Sequence, residues 1–138
     1  MISLDFQNKI DKLTRLIIDS KHVIVITGAG ISTPSGIPDF RSIGSGLWET
    51  NDPMEVASLS VFNTNPQVFF DWLRPLIAKI QNSKPNNAHL ALAKLEKRGY
   101  IKSLITQNID DLHHKANSFN VIEIHGSLNS FHCPKCFN

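Results

Sequence analysis

The run Thr27-Gly28-Ala29-Gly30-Ile31-Ser32 has the make-up of a turn that holds phosphate, and a second polar loop, Gly36-Ile37-Pro38-Asp39-Phe40-Arg41, follows at once. Gly28 and Gly30 allow positive φ and bring bare backbone close to a ligand, while the N–H groups of the helix start that follows attract a pyrophosphate. A dinucleotide is the natural guest. The turn alone decides little. Thr33 stands where the usual dinucleotide fingerprint has its third glycine, and no acidic residue follows on a clear second strand about 20 residues later.

Two more polar clusters lie downstream: Thr106-Gln107-Asn108-Ile109-Asp110 after the apolar run 101–105, and His125-Gly126 after the run 121–124. Both sit at the carboxyl ends of expected strands, the edge of an open α/β sheet where ligands bind, so three clusters far apart in sequence should meet in one crevice. Gln107 and Asn108 carry amides that donate and accept at once, which suits ribose hydroxyls and an ordered water. His125, with an ordinary imidazole pKa of about 6.5, is suited to take a proton from a hydroxyl at neutral pH. Plainer readings stand beside these. A Gly-Ala-Gly turn is often only a tight connection, Asn108 and Asp110 suit the cap of a short helix, and a lone histidine is commonly structural. His89, His113 and His114 fall on expected helices and are read as structural or solvent-facing.

Cys133-Pro134-Lys135-Cys136 has the spacing of a zinc knuckle, in which a tight turn points both thiolates at one ion. Structural zinc takes four ligands, and this motif supplies two; His132 is poorly placed to complete the set, so another segment or chain must contribute. A redox pair is the rival reading, but the motif follows a strand and His-Gly instead of opening a helix.

The elements that must position these groups follow from periodicity. Phe6, Ile10, Leu13 and Ile17 recur at helical spacing, so 5–20 is expected to be a helix laying that face on the sheet. The β-branched run 23–26 reads as a strand buried on both faces. Residues 33–50 read as an ordered loop with turns, because Phe40, Leu47 and Trp48 are too apolar to leave in water. Asn65-Pro66 marks a helix start with Phe69, Leu73, Leu76 and Ile80 on its apolar face and a kink expected at Pro75, inside a helical insertion over 51–83. A helix over 87–98 stops at Gly99 and feeds a strand at 101–106; a short helix at 109–116, a turn at 117–120 and a strand at 121–124 follow. These repeats predict a parallel sheet. The expected class is α/β: a partial Rossmann-like sheet formed by 1–50 and 84–126, interrupted by the helical insertion and ending as a zinc-binding ribbon begins at 127–138.

From Lys21 onward the chain resembles the sirtuins, NAD-dependent protein lysine deacylases. The resemblance rests on motifs in unbroken order: Gly-Ala-Gly, Gly-Ile-Pro-Asp-Phe-Arg-Ser, Gly-Leu-Trp, Pro-Asn-x-Ala-His, Thr-Gln-Asn-Ile-Asp, His-Gly and Cys-x-x-Cys. It implies transfer of the acyl group from a lysine side chain to ADP-ribose with release of nicotinamide. It implies NAD contacts from Gly28, Ala29, Gly30, Ser32, Asp39, Phe40, Arg41, Gln107, Asn108, Ile109, Asp110 and His125. His125 would be the general base and Asn108 its catalytic companion; Asp110 and the Ile109 backbone would hold the carboxamide, and Phe40 would shield the ribose. Cys133 and Cys136 would bind structural zinc. An acyl-lysine protein or peptide is the implied partner. Acetyl is the implied acyl group, because 51–70 holds neither Tyr nor Arg, which mark some sirtuins that remove acidic groups. Sirtuins need roughly as much sequence again, including a second Cys-x-x-Cys and the adenosine-binding strands, so the 138 residues are expected to be insufficient for turnover alone. The alternatives are a non-catalytic nucleotide-binding or interaction fragment, or a mono-ADP-ribosyltransferase.

Composition agrees with a folded domain: 138 residues, 41% hydrophobic, 19% charged, net charge +2. The scattered Lys and Arg form no basic stripe, so no nucleic-acid binding is expected. Apolar runs are too short to span a bilayer, and the polar first residues lack a signal-peptide layout, which points to a cytoplasmic protein, or a nuclear one in a eukaryote.

Overall fold

The computed structural model describes residues 3–44 and 46–129, together with Cys133 and Cys136. Helix α1 (Leu4–Asp19) starts where the Ser3 hydroxyl accepts from the Phe6 N–H. Strand β1 (Val23–Thr27) leads into two short 3₁₀ turns at Ala29–Ile31 and Thr33–Ser35, and a third lies at Leu47–Glu49. The helical insertion comprises α2 (Pro53–Val56), α3 (Leu59–Thr64) and α4 (Pro66–Asn82). Helix α5 (Asn87–Lys97), strand β2 (Ile101–Thr106), helix α6 (Leu112–Lys115) and strand β3 (Val121–Glu123) complete the order.

The three strands form one parallel sheet in the order β1-β2-β3. Thr27 pairs with Thr106, and Thr106 with Glu123, so all three strands end in one row. The row is extended by bonds from the Gln107 N–H to the Thr27 carbonyl and from the Ile124 N–H to the Thr106 carbonyl, both 3.0 Å. The loops carrying the three polar clusters therefore leave from the same edge.

The capping residues explain the helices. Asn86 and His89 form a capping box at the start of α5, and Gly99 follows its end with φ +79°, a conformation open to glycine. Helix α4 runs through Pro75; the ring supplies no N–H for the Asp71 carbonyl, but Leu76 and Ile80 remain buried on the core side. Those two side chains join Ile37 and Leu112 in one cluster, against which Leu47, Trp72, Leu73 and Leu128 pack. The core thus sits under the polar loops and ties the insertion to the sheet edge.

Four expectations need correction. Strand β1 is covered on one face only: Ile24 is 51% and Ile26 70% exposed. They share an open face with Ile122 and Ile124, while Leu104 on the opposite face is buried. Helix α1 buries no residue; its Ile10, Leu13 and Ile17 border a shallow groove beside Leu95 and Tyr100 instead of lying on the sheet. Neither Gly28 nor Gly30 has positive φ, and the helix start expected after them is a 3₁₀ turn. Helix α6 is shorter than 109–116 because Asp111 adopts φ +63°, which interrupts right-handed helix.

The two faces of the sheet should differ in mutational cost. Leu104→Ala is expected to lower unfolding free energy by about 2–5 kcal/mol and Ile26→Ala by less than about 1 kcal/mol, read from urea midpoints. Equal losses would mean that the face carrying Ile26 is covered.

Candidate functional site

The site is assembled around a buried carboxylate. Asp110 is 4% exposed; its Oδ2 accepts from the Ser32 hydroxyl at 2.6 Å and its Oδ1 from the Leu112 N–H at 3.0 Å. Asn108, on the same loop, is held by its own N–H donating to Thr106 Oγ1. Its side-chain amide donates to the Gly28 carbonyl and to Ser32 Oγ, each at 3.1 Å. The glycine turn and the Thr-Gln-Asn-Ile-Asp loop, some 80 positions apart in the chain, are thus one hydrogen-bonded unit.

These groups line a cavity of about 330 Å³. Ala29, Ser32 and Phe40 come from the first loops, Gln107, Asn108, Ile109 and Asp110 from the second, and His125 from the third. Ile37, Leu76 and Ile80 give it an apolar floor. Gly28 and Gly30 line an adjoining cleft with Ile26, Ala88 and Leu92, and Ala29 borders both spaces. Nothing lies within 4 Å of where a Cβ would stand on either glycine, which leaves their backbone open to a ligand.

His125 stands exposed at the rim, with Nδ1 2.9 Å from the Gln107 carbonyl. A carbonyl only accepts, so Nδ1 carries the hydrogen and Nε2 keeps its lone pair in the neutral ring. That tautomer is the one a proton acceptor needs.

Asp39 and Arg41 are not among the residues lining the cavity. The Asp39 carboxylate staples its own loop, accepting from the N–H groups of Arg41 and Ser42 and from the Ser42 hydroxyl, and the Ser42 bonds hold it below the usual carboxylate range. Gly46 closes the same loop with no room for a side chain, since a Cβ would lie 2.8 Å from the Ser42 nitrogen. Phe40 stacks on Trp48 at 5.2 Å, and Trp48 on Trp72 of α4 at 5.7 Å, so a ladder of three rings fixes Phe40 to the insertion. Cys133 and Cys136 are exposed and outside the cavity.

Beneath the glycine turn lies a pair of buried histidines whose supporting role the sequence reading did not specify. His89 and His113 are 0% and 2% exposed, with ring centres 4.8 Å apart. His113 Nε2 is 2.9 Å from Thr27 Oγ1 at the end of β1. His89 Nδ1 accepts from the Asn86 N–H, and the Asn86 amide donates to the Ile31 carbonyl and Ser35 Oγ. Glu96, also buried, receives the N–H groups of Phe119 and Asn120 and so fixes the entry to β3. The Pro-Asn-x-Ala-His pattern was the available signal for the histidine pair; Glu96 had none.

An α/β sheet with a glycine turn, a buried Ser-Asn-Asp network and a rim imidazole at the carboxyl edge has the layout of a dinucleotide-type α/β domain, with its polar loops at the edge where such folds place ligands. The Sir2 family model matches residues 28–138, and the chain belongs to that family. An NAD-dependent protein deacetylase 2 from Caldanaerobacter subterraneus subsp. tengcongensis is 46% identical over 136 residues, which cover 99% of this chain and 54% of the relative. A mutant Sir2 homologue in complex with ADP-ribose superposes with a TM-score of 0.87 at 44% identity, over 93% of this chain and 51% of the other. A Sir2–p53 peptide–NAD+ complex superposes with a TM-score of 0.84 at 40% identity, over 94% and 50%. The chain spans about half the length of the relatives it matches.

Burial pushes the His113 pKa down to about 4, aided by repulsion from His89, and burial also lowers that of His89. The folded state therefore resists protonation that the unfolded chain accepts. This part of the stability is complete above about pH 6.5 and is lost as pH falls towards 4, amounting to roughly 3 kcal/mol for His113. Urea midpoints at pH 7.5 and pH 5 should show the loss, and His113→Asn should flatten it.

Proposed function

We propose that this protein acts as an NAD-dependent protein lysine deacetylase, moving the acyl group of a modified lysine to ADP-ribose with release of nicotinamide. The observation that carries the reading is the single cavity lined by Ser32, Asn108, Asp110 and His125. NAD, when bound, supplies a glycosidic bond whose cleavage leaves a ribose carbon open to the acyl oxygen. The open backbone of Gly28, Ala29 and Gly30 suits its pyrophosphate. Asp110 has lone pairs left after its two bonds to Ser32 and Leu112, so it and the Ile109 backbone accept and donate to a carboxamide. Gln107 and Asn108 serve ribose hydroxyls. We assign Asp39 and Arg41 to shaping and lining the cofactor loop once NAD is present.

An amide oxygen is a weak nucleophile, so water must be kept from the same carbon. Phe40, braced by Trp48 and Trp72, is the shield. His125 takes the proton of a ribose hydroxyl at Nε2, and the Gln107 carbonyl steadies the charge the ring acquires.

The substrate is an acetylated lysine in a protein or peptide, in keeping with the peptide complex among the structural neighbours. Cys133 and Cys136 are two ligands of a structural zinc whose other two come from another segment; two exposed cysteines at this spacing fit such a half-site. No helix among the described residues is long and apolar enough to cross a membrane, and a cytoplasmic protein that binds no nucleic acid is the reading adopted.

In the protein as its host makes it, His125→Ala should lower deacetylation of an acetyl-lysine peptide by about 10²-fold or more, followed as acetyl-ADP-ribose by mass spectrometry. The parent rate in that variant would remove the imidazole from the mechanism. Trp72→Ala should raise nicotinamide release without acyl transfer several-fold, because Phe40 loses its brace; an unchanged ratio would show that the ring stack does not exclude water.

A further inference from the structure

Next to the Asp110 loop, and not among the residues that line the cavity, three side chains converge for which the proposed reaction has no use. Asp111 precedes α6, His114 lies on α6, and Glu123 ends β3. Their ligand atoms all lie within 4.8 Å of one another, with His114 Nε2 3.9 Å from Glu123 Oε2. One ion held at about 2.0–2.2 Å by imidazole nitrogen and carboxylate oxygen sets its donors roughly 3–4.4 Å apart, so small side-chain rotations suffice. Glu123 also accepts a hydrogen bond from the Ser127 hydroxyl, which leaves lone pairs of the carboxylate for a cation. Asp111 stands at the N-cap of α6 but its carboxylate caps nothing, and no lysine or arginine among the described residues pairs with Asp111 or Glu123. The buried Asp110 carboxylate adds negative charge beside them.

We propose that Asp111, His114 and Glu123 form a binding site for a divalent first-row transition cation. The donor set is mixed, one borderline nitrogen with two hard oxygens, which favours such ions over calcium or magnesium. His114 is half exposed, so the remaining coordination positions face water. The bound ion clamps the start of α6 to the end of β3. Asp110 lies one residue before the first ligand and His125 two residues after the last, so the clamp braces two cavity-lining segments from outside. The site is separate from the Cys133–Cys136 pair, which is built of soft thiolates.

Manganese(II) discriminates between the two, since it binds thiolates poorly. Titrated into the 138-residue chain, it should lose its free-ion electron paramagnetic resonance signal at a stoichiometry of about one, with saturable broadening of the His114 ring protons before those of the exposed His22. His114→Ala and Glu123→Gln should each weaken binding by about tenfold or more. His114 is at the surface, so its variant keeps the fold, which circular dichroism verifies. Broadening of His22 and His114 alike, or unchanged affinity in His114→Ala, overturns the site. The measurement uses no turnover, so it stands or falls independently of the deacetylase reading.

Discussion

Asp110 brings a carboxylate to a place where only 4% of the residue meets solvent, and acceptor oxygens so placed must be met by donors. The donors come from two directions, the Ser32 hydroxyl of the glycine turn and the Leu112 N–H at the start of α6. That requirement dictates more than a local contact. Ser32 can reach Asp110 only if the chain after β1 folds back over the end of β2, and Asn108 then finds the Gly28 carbonyl. Withdrawal of either donor from a buried carboxylate costs more than the bond itself contributes, because the charge is left without a partner. The shape of the glycine turn is therefore set by the need of an acid far away in the chain.

The sheet makes that meeting geometrically cheap. Thr27, Thr106 and Glu123 share a row, so the loops after β1, β2 and β3 begin within neighbouring strand spacings. Below the row, His113 on Thr27 and Asn86 on the Ile31 carbonyl support the turn with neutral groups. Neutral support suits the place. A charged ring there would need solvation that a buried place does not offer, and burial keeps both histidines from acquiring a charge.

Much of this was legible in the sequence because its signals are local. Strand β2 has the expected bounds, 101–106, since an apolar run between Gly99 and a polar cluster admits few other readings. Helix α5 begins at the expected residue, 87, and its stop was marked by Gly99. The position of the polar clusters after strands followed from the same alternation. For α1 and β1, what failed concerned the neighbours of the element, not its type. Periodicity identified the apolar stripe of α1 and the apolar run of β1, yet it carries no information about which surface covers Ile10 or Ile26. Asp111 escaped because a left-handed φ at a non-glycine residue has no reliable pattern in sequence. The convergence of Asp111, His114 and Glu123 joins residues of separate elements and so escaped as well.

The open sheet face and the cavity bear on the same question, the path a dinucleotide would take. The cavity of about 330 Å³ holds the polar groups suited to an amide and a sugar, but it is too small for two nucleotides. The adjoining cleft is wider and open, floored by Ile26, Ala88 and Leu92, and meets the first at Ala29. A ligand occupying both must therefore cross the Gly28-Ala29-Gly30 backbone, where side chains give way to open N–H groups and a pyrophosphate is the chemistry that fits. The half of the ligand beyond that crossing lies beside Ile26, on the face this chain leaves uncovered. A flat base stacked there would gain little from one exposed isoleucine. A second surface over the same face would supply the contact that Ile26 alone does not.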